Sequence, residues 1–203
     1  MNGTGQYIAA RWQNALPVLI VLPLINLVPL VYHSPRALPL LLGLHLPVYM
    51  LHQVEEHLWP AGFRRFVNQQ IFHSGDAGFP ASAGAIAFVN IALVWLPVSL
   101  GAMPPILWQG FLWMGLAMVA VSLVNGLTHV MAAVKLRRAN PGLWTAIFLL
   151  LPFSIWTLHG AFSQNIIGWP IFAILISVAV ALHGAIALIM AWPWLRLPFK
   201  TQL

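Results

Sequence analysis

Apolar residues run along this chain in six long blocks, parted by short clusters of polar residues, proline and glycine. The blocks fall at about residues 16–32, 38–59, 81–100, 106–134, 143–162 and 169–192. Each reaches or approaches the roughly 20 residues that an α-helix needs to cross a bilayer. None alternates strictly, as a membrane β-strand would, and backbone groups in lipid must be satisfied within the segment, so the blocks predict helices. The predicted fold is all-α: a polytopic transmembrane bundle of six spans in a single domain over residues 1–203. Pro17, Pro23 and Pro29 interrupt the first block, which membrane helices tolerate.

The junctions carry their own signals. His33-Ser34-Pro35-Arg36, Gly101 to Pro105, Lys135 to Gly142 and Ser163 to Gly168 read as turns. Residues 63–80 form the most polar segment, with Arg64, Arg65, Asn68, Gln69 and Gln70 set among Phe63, Phe66, Ile71 and Phe72. That mixture predicts a short interfacial amphipathic helix followed by a Gly/Asp turn. Residues 193–203 form a tail.

Composition supports the membrane reading. Of 203 residues, 61% are hydrophobic and 6% charged, against about 25% charged in a soluble domain. The nine Lys and Arg residues never run longer than two together, so no phosphate-binding patch for nucleic acid emerges. They do set an orientation. With both ends cytoplasmic, Arg11, Arg64, Arg65, Lys135, Arg137, Arg138, Arg196 and Lys200 lie inside and only Arg36 outside, as the positive-inside rule requires. Trp12, Trp59, Trp144, Trp192 and Trp194 then fall at the inner interface, and Trp108 and Trp169 at the outer one. The expected location is a bacterial cytoplasmic (inner) membrane, crossed several times, with the first apolar block retained as a span rather than cleaved as a leader. Cysteine is absent, which excludes thiolate ligands, iron–sulfur clusters and a cysteine nucleophile.

Two of the three acidic residues, Glu55 and Glu56, sit side by side within the second block. A carboxylate there costs about 2.5–3.5 kcal/mol on insertion scales, so an intramembrane acid marks a functional site. At 100° per residue, His45, His52, Glu55 and Glu56 share one face, while His57 lies about 140° from His52 and points elsewhere. Asn125 and His129 form an i, i+4 pair in the fourth block, and in the N-in orientation they reach a similar depth, with His183 in the sixth block near them. Carboxylates and imidazoles together suit a divalent metal, zinc or iron, whose charge offsets the burial of the acids. Two other readings of the pair remain open here: protonated or paired with Arg64 and Arg65, or a proton relay. His33 and His73 read as loop histidines and His159 as an interfacial one. No lysine lies deep in a span, no nucleophile elbow or phosphate loop is present, and the histidines do not form repeated boxes.

The ordered set His52-Gln53-Val54-Glu55-Glu56, then His129, then Ala139-Asn140-Pro141-Gly142 resembles the bacterial membrane family named after its H-x-x-E-E motif. The resemblance runs over about residues 45–160, with alanine at 139 where that family has tyrosine. It implies that these residues form a site, and it implies no particular activity. The ring that is missing at position 139 is expected to lie away from that site.

The sequence thus predicts a metal-dependent membrane enzyme, a hydrolase or an oxidoreductase, acting on a lipid or other apolar substrate drawn from the bilayer. His52, Glu56 and His129 are the expected ligands. Glu55 is a further ligand or the general base, so Glu55 and Glu56 are the catalytic candidates. His45 and His183 are candidate extra ligands, and Asn125 is a supporting group behind them. The alternatives are an ion- or proton-coupled transporter using the glutamate pair, and a b-type haem protein. A homo-oligomer could complete the site.

Overall fold

A computed structural model describes residues 11–33, 37–103 and 109–195. The turn at Ser34–Arg36, the start of the fourth predicted span with Trp108, and Arg196 and Lys200 of the tail lie outside the described residues. Every described element is helical. A 3₁₀ turn, Trp12–Ala15, leads into α1, Leu16–His33. Then follow α2, Ala37–His57, and α3, which runs from Phe63 through Ile71. The remaining four are α4, Ala83–Gly101; α5, Gly110–Leu136; α6, Leu143–Ser163; and α7, Trp169–Leu195.

Among the described residues, α4 to α7 are long and apolar enough to cross a membrane. With 21 residues, α2 has the length, but His45, His52, Gln53, Glu55, Glu56 and His57 dilute its hydropathy. That dilution is the cost of carrying the polar face. The predicted amphipathic segment is helical only as far as Ile71. Residues 72–81 instead form a loop held by Asn68, whose amide donates to the carbonyls of Ala77 and Ala81 and whose oxygen accepts from the Ala81 N–H.

Three helices contain a widened π segment: Val67–Ile71 in α3, Val89–Trp95 in α4 and Ala146–Leu150 in α6. In α4 and α6 the cause is legible. Pro97 and Pro152 follow directly, and each lacks the N–H that would close onto the preceding turn, so the helix relaxes there.

α5 is the organising helix: it packs against α2, α4, α6 and α7. Its approach to α4 is the closest in the bundle that glycine dictates. A Cβ on Gly101 would stand 2.5 Å from the Gly115 Cα, and one on Gly115 would stand 2.7 Å from the Gly101 carbonyl. Without a hydrophobic force between helices in lipid, such small-residue contacts supply the packing. A second tie joins α2 to α4: the Gln53 amide donates to Asn90, and the Trp95 indole donates to the Gln53 oxygen. Trp12, expected in the inner aromatic belt, is buried instead, its ring edge-on to His57 and Trp95. Trp59, Trp144, Trp169 and Trp192 are exposed.

Gly101→Ala is therefore expected to destabilise the protein by about 1–3 kcal/mol, the usual result of forcing atoms into a filled contact. Thermal unfolding in detergent checks this, and an unchanged midpoint would show that α4 and α5 are not held at this distance.

Candidate functional site

The site is built where α2 meets α5 and the start of α6. Leu38, Leu41, Leu42, Leu46, Tyr49 and Met50 bury one flank of α2 in the main apolar core with Leu116, Val119 and Val121 of α5. The polar face of α2 is thereby locked against α5 and α6. His52 is fully buried, and Glu55, Glu56, His129 and Asn140 are each less than a tenth exposed.

Three of these residues converge. Ligand atoms of His52, Glu56 and His129 all lie within 4.8 Å of one another, and the group can hold a metal ion. Glu56 Oε1 is 3.6 Å from His52 Nε2 and 3.2 Å from His129 Nε2. Ligands of a tetrahedral ion about 2.0–2.1 Å away stand roughly 3.3 Å from one another, so the spacing fits one ion.

The surrounding bonds assign the tautomers. Asn140 Nδ2 donates to the His129 carbonyl at 2.8 Å, so its Oδ1 must accept from His129 Nδ1 at 2.7 Å. Thr145 Oγ1 donates to Glu55 Oε2 at 2.6 Å, so it accepts from His52 Nδ1 at 2.8 Å. Both imidazoles thus carry their proton on Nδ1 and turn Nε2 toward Glu56. Holding the outer nitrogen in this way is how proteins orient metal-binding histidines. The Asn125 amide offers a hydrogen to His52 Nε2 at 3.1 Å. Nothing comparable reaches the acceptor pair His129 Nε2 and Glu56 Oε1, where either a proton or a metal ion must supply positive charge.

Glu55 faces a different structure. Its carboxylate accepts from the Trp144 N–H at 3.2 Å, the Thr145 N–H at 2.7 Å and the Thr145 hydroxyl. It therefore sits on the free N–H groups and positive dipole end of α6, a setting that stabilises an anion without any cation. Arg64 and Arg65 pair with neither glutamate among the described residues.

The other sequence candidates lie apart from the three. His45 bonds Ser122 Oγ at 2.7 Å and stacks on Phe153. His183 bonds the Ala179 carbonyl at 2.8 Å, although it lines a small cavity of about 60 Å³ together with Tyr49, Glu56 and Asn125. His73 and His159 are exposed.

Two features escaped the sequence. The Asn140-Pro141-Gly142 turn, which has no part in the predicted ligand set, closes over the site. Gly142 has a φ of 91°, and a Cβ on it would stand 2.7 Å from the Cε1 of both His52 and His129 and 2.9 Å from Glu56 Cγ. The conspicuous signal was Asn140 eleven residues after His129, a spacing that turns the chain back onto its own helix end. Periodicity could not show this, because it ends at the helix terminus. His57 also returns. It does point away from His52, but its Nε2 stands 3.5 Å from Glu56 Oε2.

A helical membrane bundle with a buried His/Glu group is thus the class that fold and site define. Within that class, the chain belongs to the family of proteins of unknown function with an HXXEE motif, whose model matches residues 43–157, more than half of the chain. No curated protein and no solved structure matches it.

Asn140→Ala removes the acceptor that fixes His129 and leaves a buried carbonyl unpaired. The expected cost is about 1–3 kcal/mol of stability, together with a 10- to 100-fold loss of metal affinity. Full metal retention in the purified variant would show that Asn140 does not orient the ring.

Proposed function

We propose that the protein is a metal-dependent membrane enzyme, in which His52 Nε2, His129 Nε2 and a Glu56 oxygen hold a single divalent ion. The observation that carries this reading is the aim of two imidazoles, each with its proton fixed on the far nitrogen, at one carboxylate oxygen. One added proton would satisfy the His129–Glu56 contact alone, whereas an ion would engage His52 Nε2 as well, in exchange for its bond to the Asn125 amide. Two histidines and one carboxylate leave coordination positions open, as in catalytic zinc sites and in the facial triad of non-haem iron. An open site favours chemistry over a structural role. The ion would act as a Lewis acid or activate a water, in a hydrolase or an oxidoreductase. The bonds that His45 and His183 make elsewhere favour one ion over two.

With its oxygens engaged by α6, Glu55 becomes a positioning residue in this reading: through Thr145 it orients His52. Asn125 meets His52 at the ligating Nε2 itself, so its amide would give way there to the ion. Six spans with both termini cytoplasmic fit the arrangement, because Trp12, His57, Arg64 and Arg65 flank one cavity and Arg138 bonds Gln70 beside them. The site then lies in the cytoplasmic half of a bacterial inner membrane, within reach of a lipid or other apolar substrate.

One observation favours an ion- or proton-coupled carrier as the second reading. His45 and Ser122 place a buried polar pair seven residues, about 10 Å, deeper along the face of α2 that holds His52. A haem is disfavoured, since the His52 and His129 rings lie 4.9 Å apart and at 82°, which is too close and too crossed for opposite axial ligands.

Elemental analysis of purified protein tests the proposal. About one equivalent of zinc or iron is expected in the wild type, lost in His52→Ala and His129→Ala and kept in His45→Ala and His183→Ala. Protein free of metal, purified without chelator, would overturn the enzyme reading in favour of the carrier.

A further inference from the structure

The other oxygen of Glu56 leads out of the site. Oε2 faces His57, and both residues line a cavity of about 470 Å³ whose walls include Trp12, Phe63, Arg64 and Arg65. His57 is enclosed by aromatic rings, edge-on to Trp12 at 4.8 Å and to Phe63 at 5.3 Å. Its side chain is 8% exposed, and its Nε2 has no hydrogen-bond partner. Buried polar atoms are seldom left so. Arg64 and Arg65 also line it and are exposed, and neither pairs with an acid among the described residues. Phe63 and Glu56 line both this cavity and the small one beside Asn125 and His183, so they lie between the two.

A cavity that sets the rings of Trp12 and Phe63 beside two guanidinium groups and an unused imidazole nitrogen suits an anion carried on an apolar body. Guanidinium binds phosphate and carboxylate through paired, charge-assisted hydrogen bonds. We infer that this cavity receives the anionic head of the substrate, a phosphate or carboxylate group held by Arg64, Arg65 and His57 beside Glu56. The inference deepens the metal-enzyme reading and rests on it, since an ion on Glu56 removes the negative charge that would repel such a head.

Native mass spectrometry of the full chain in an uncharged detergent tests this with dodecyl phosphate, dodecanol and inorganic phosphate as probes. Dodecyl phosphate is expected to bind and dodecanol not. The double variant Arg64→Gln/Arg65→Gln is expected to weaken binding about tenfold or more, and Arg64→Lys/Arg65→Lys to restore part of it. Inorganic phosphate competing at similar concentration would assign a free anion as the ligand, and failure to compete would assign an amphiphile such as a lipid; both outcomes support the site. Equal binding of dodecanol, no binding of either phosphate, or binding indifferent to the arginines would overturn it. Metal content, measured on the same samples, separates the two readings. Metal-loaded protein that ignores the phosphate group sinks only this inference, and metal-free protein sinks the enzyme reading.

Discussion

Two adjacent carboxylates buried in an apolar bundle must each be given a positive counterpart, and the structure meets that demand in two different ways. Glu55 takes the free N–H groups at the start of α6. Glu56 meets a pair of imidazole nitrogens, between which a proton or a metal ion must supply the charge. Because isolated burial would cost several kcal/mol for each, the helices that deliver these counterparts are not free to drift. The start of α6 is fixed to α2 by Glu55, and α5 is fixed to α2 through His129 and Glu56. The Asn140 turn joins α5 to α6 and bonds back to His129. Each contact secures the geometry of the others.

The two acids, alike in sequence, are thus unlike in surroundings. The carboxylate on the helix end is spent on architecture and holds His52 through one hydroxyl. The one between the imidazoles has unfilled acceptor capacity and opens on two cavities.

The helices were legible because each apolar block is long and its boundary is set by local chemistry. Ser82, whose hydroxyl accepts from Ala85 N, caps α4 within two residues of the expected start. The α2 stripe was legible because residues seven apart share a face. Pairing it with His129 followed from charge-set orientation. What could not be read were contacts made by chain that lacks periodicity: the Asn140–Gly142 turn, the Trp12 ring turned inward onto His57, and the loop closed by Asn68. Glu56 could be set beside His52 and His129 from the sequence, but the place of Glu55 could not be read, since its partner is Thr145, ninety residues away and itself an unremarked polar residue at a helix start.

The widened turn in α6 settles a mismatch of register between two antiparallel helices. His45 and His52 are seven residues apart on α2, so they lie within about 20° of each other around its axis. Their partners on α6, Phe153 and Thr145, are eight apart, which in a regular helix would set them about 80° out of line. The surplus residue absorbed between Ala146 and Leu150 restores the alignment, and one face of α6 can address both histidines. The segment works as a vernier: regularising it with all eight residues kept would swing Phe153 off His45 and leave the far half of the polar stripe without its cover, whereas deleting one residue there would leave the two partners seven apart and still in line.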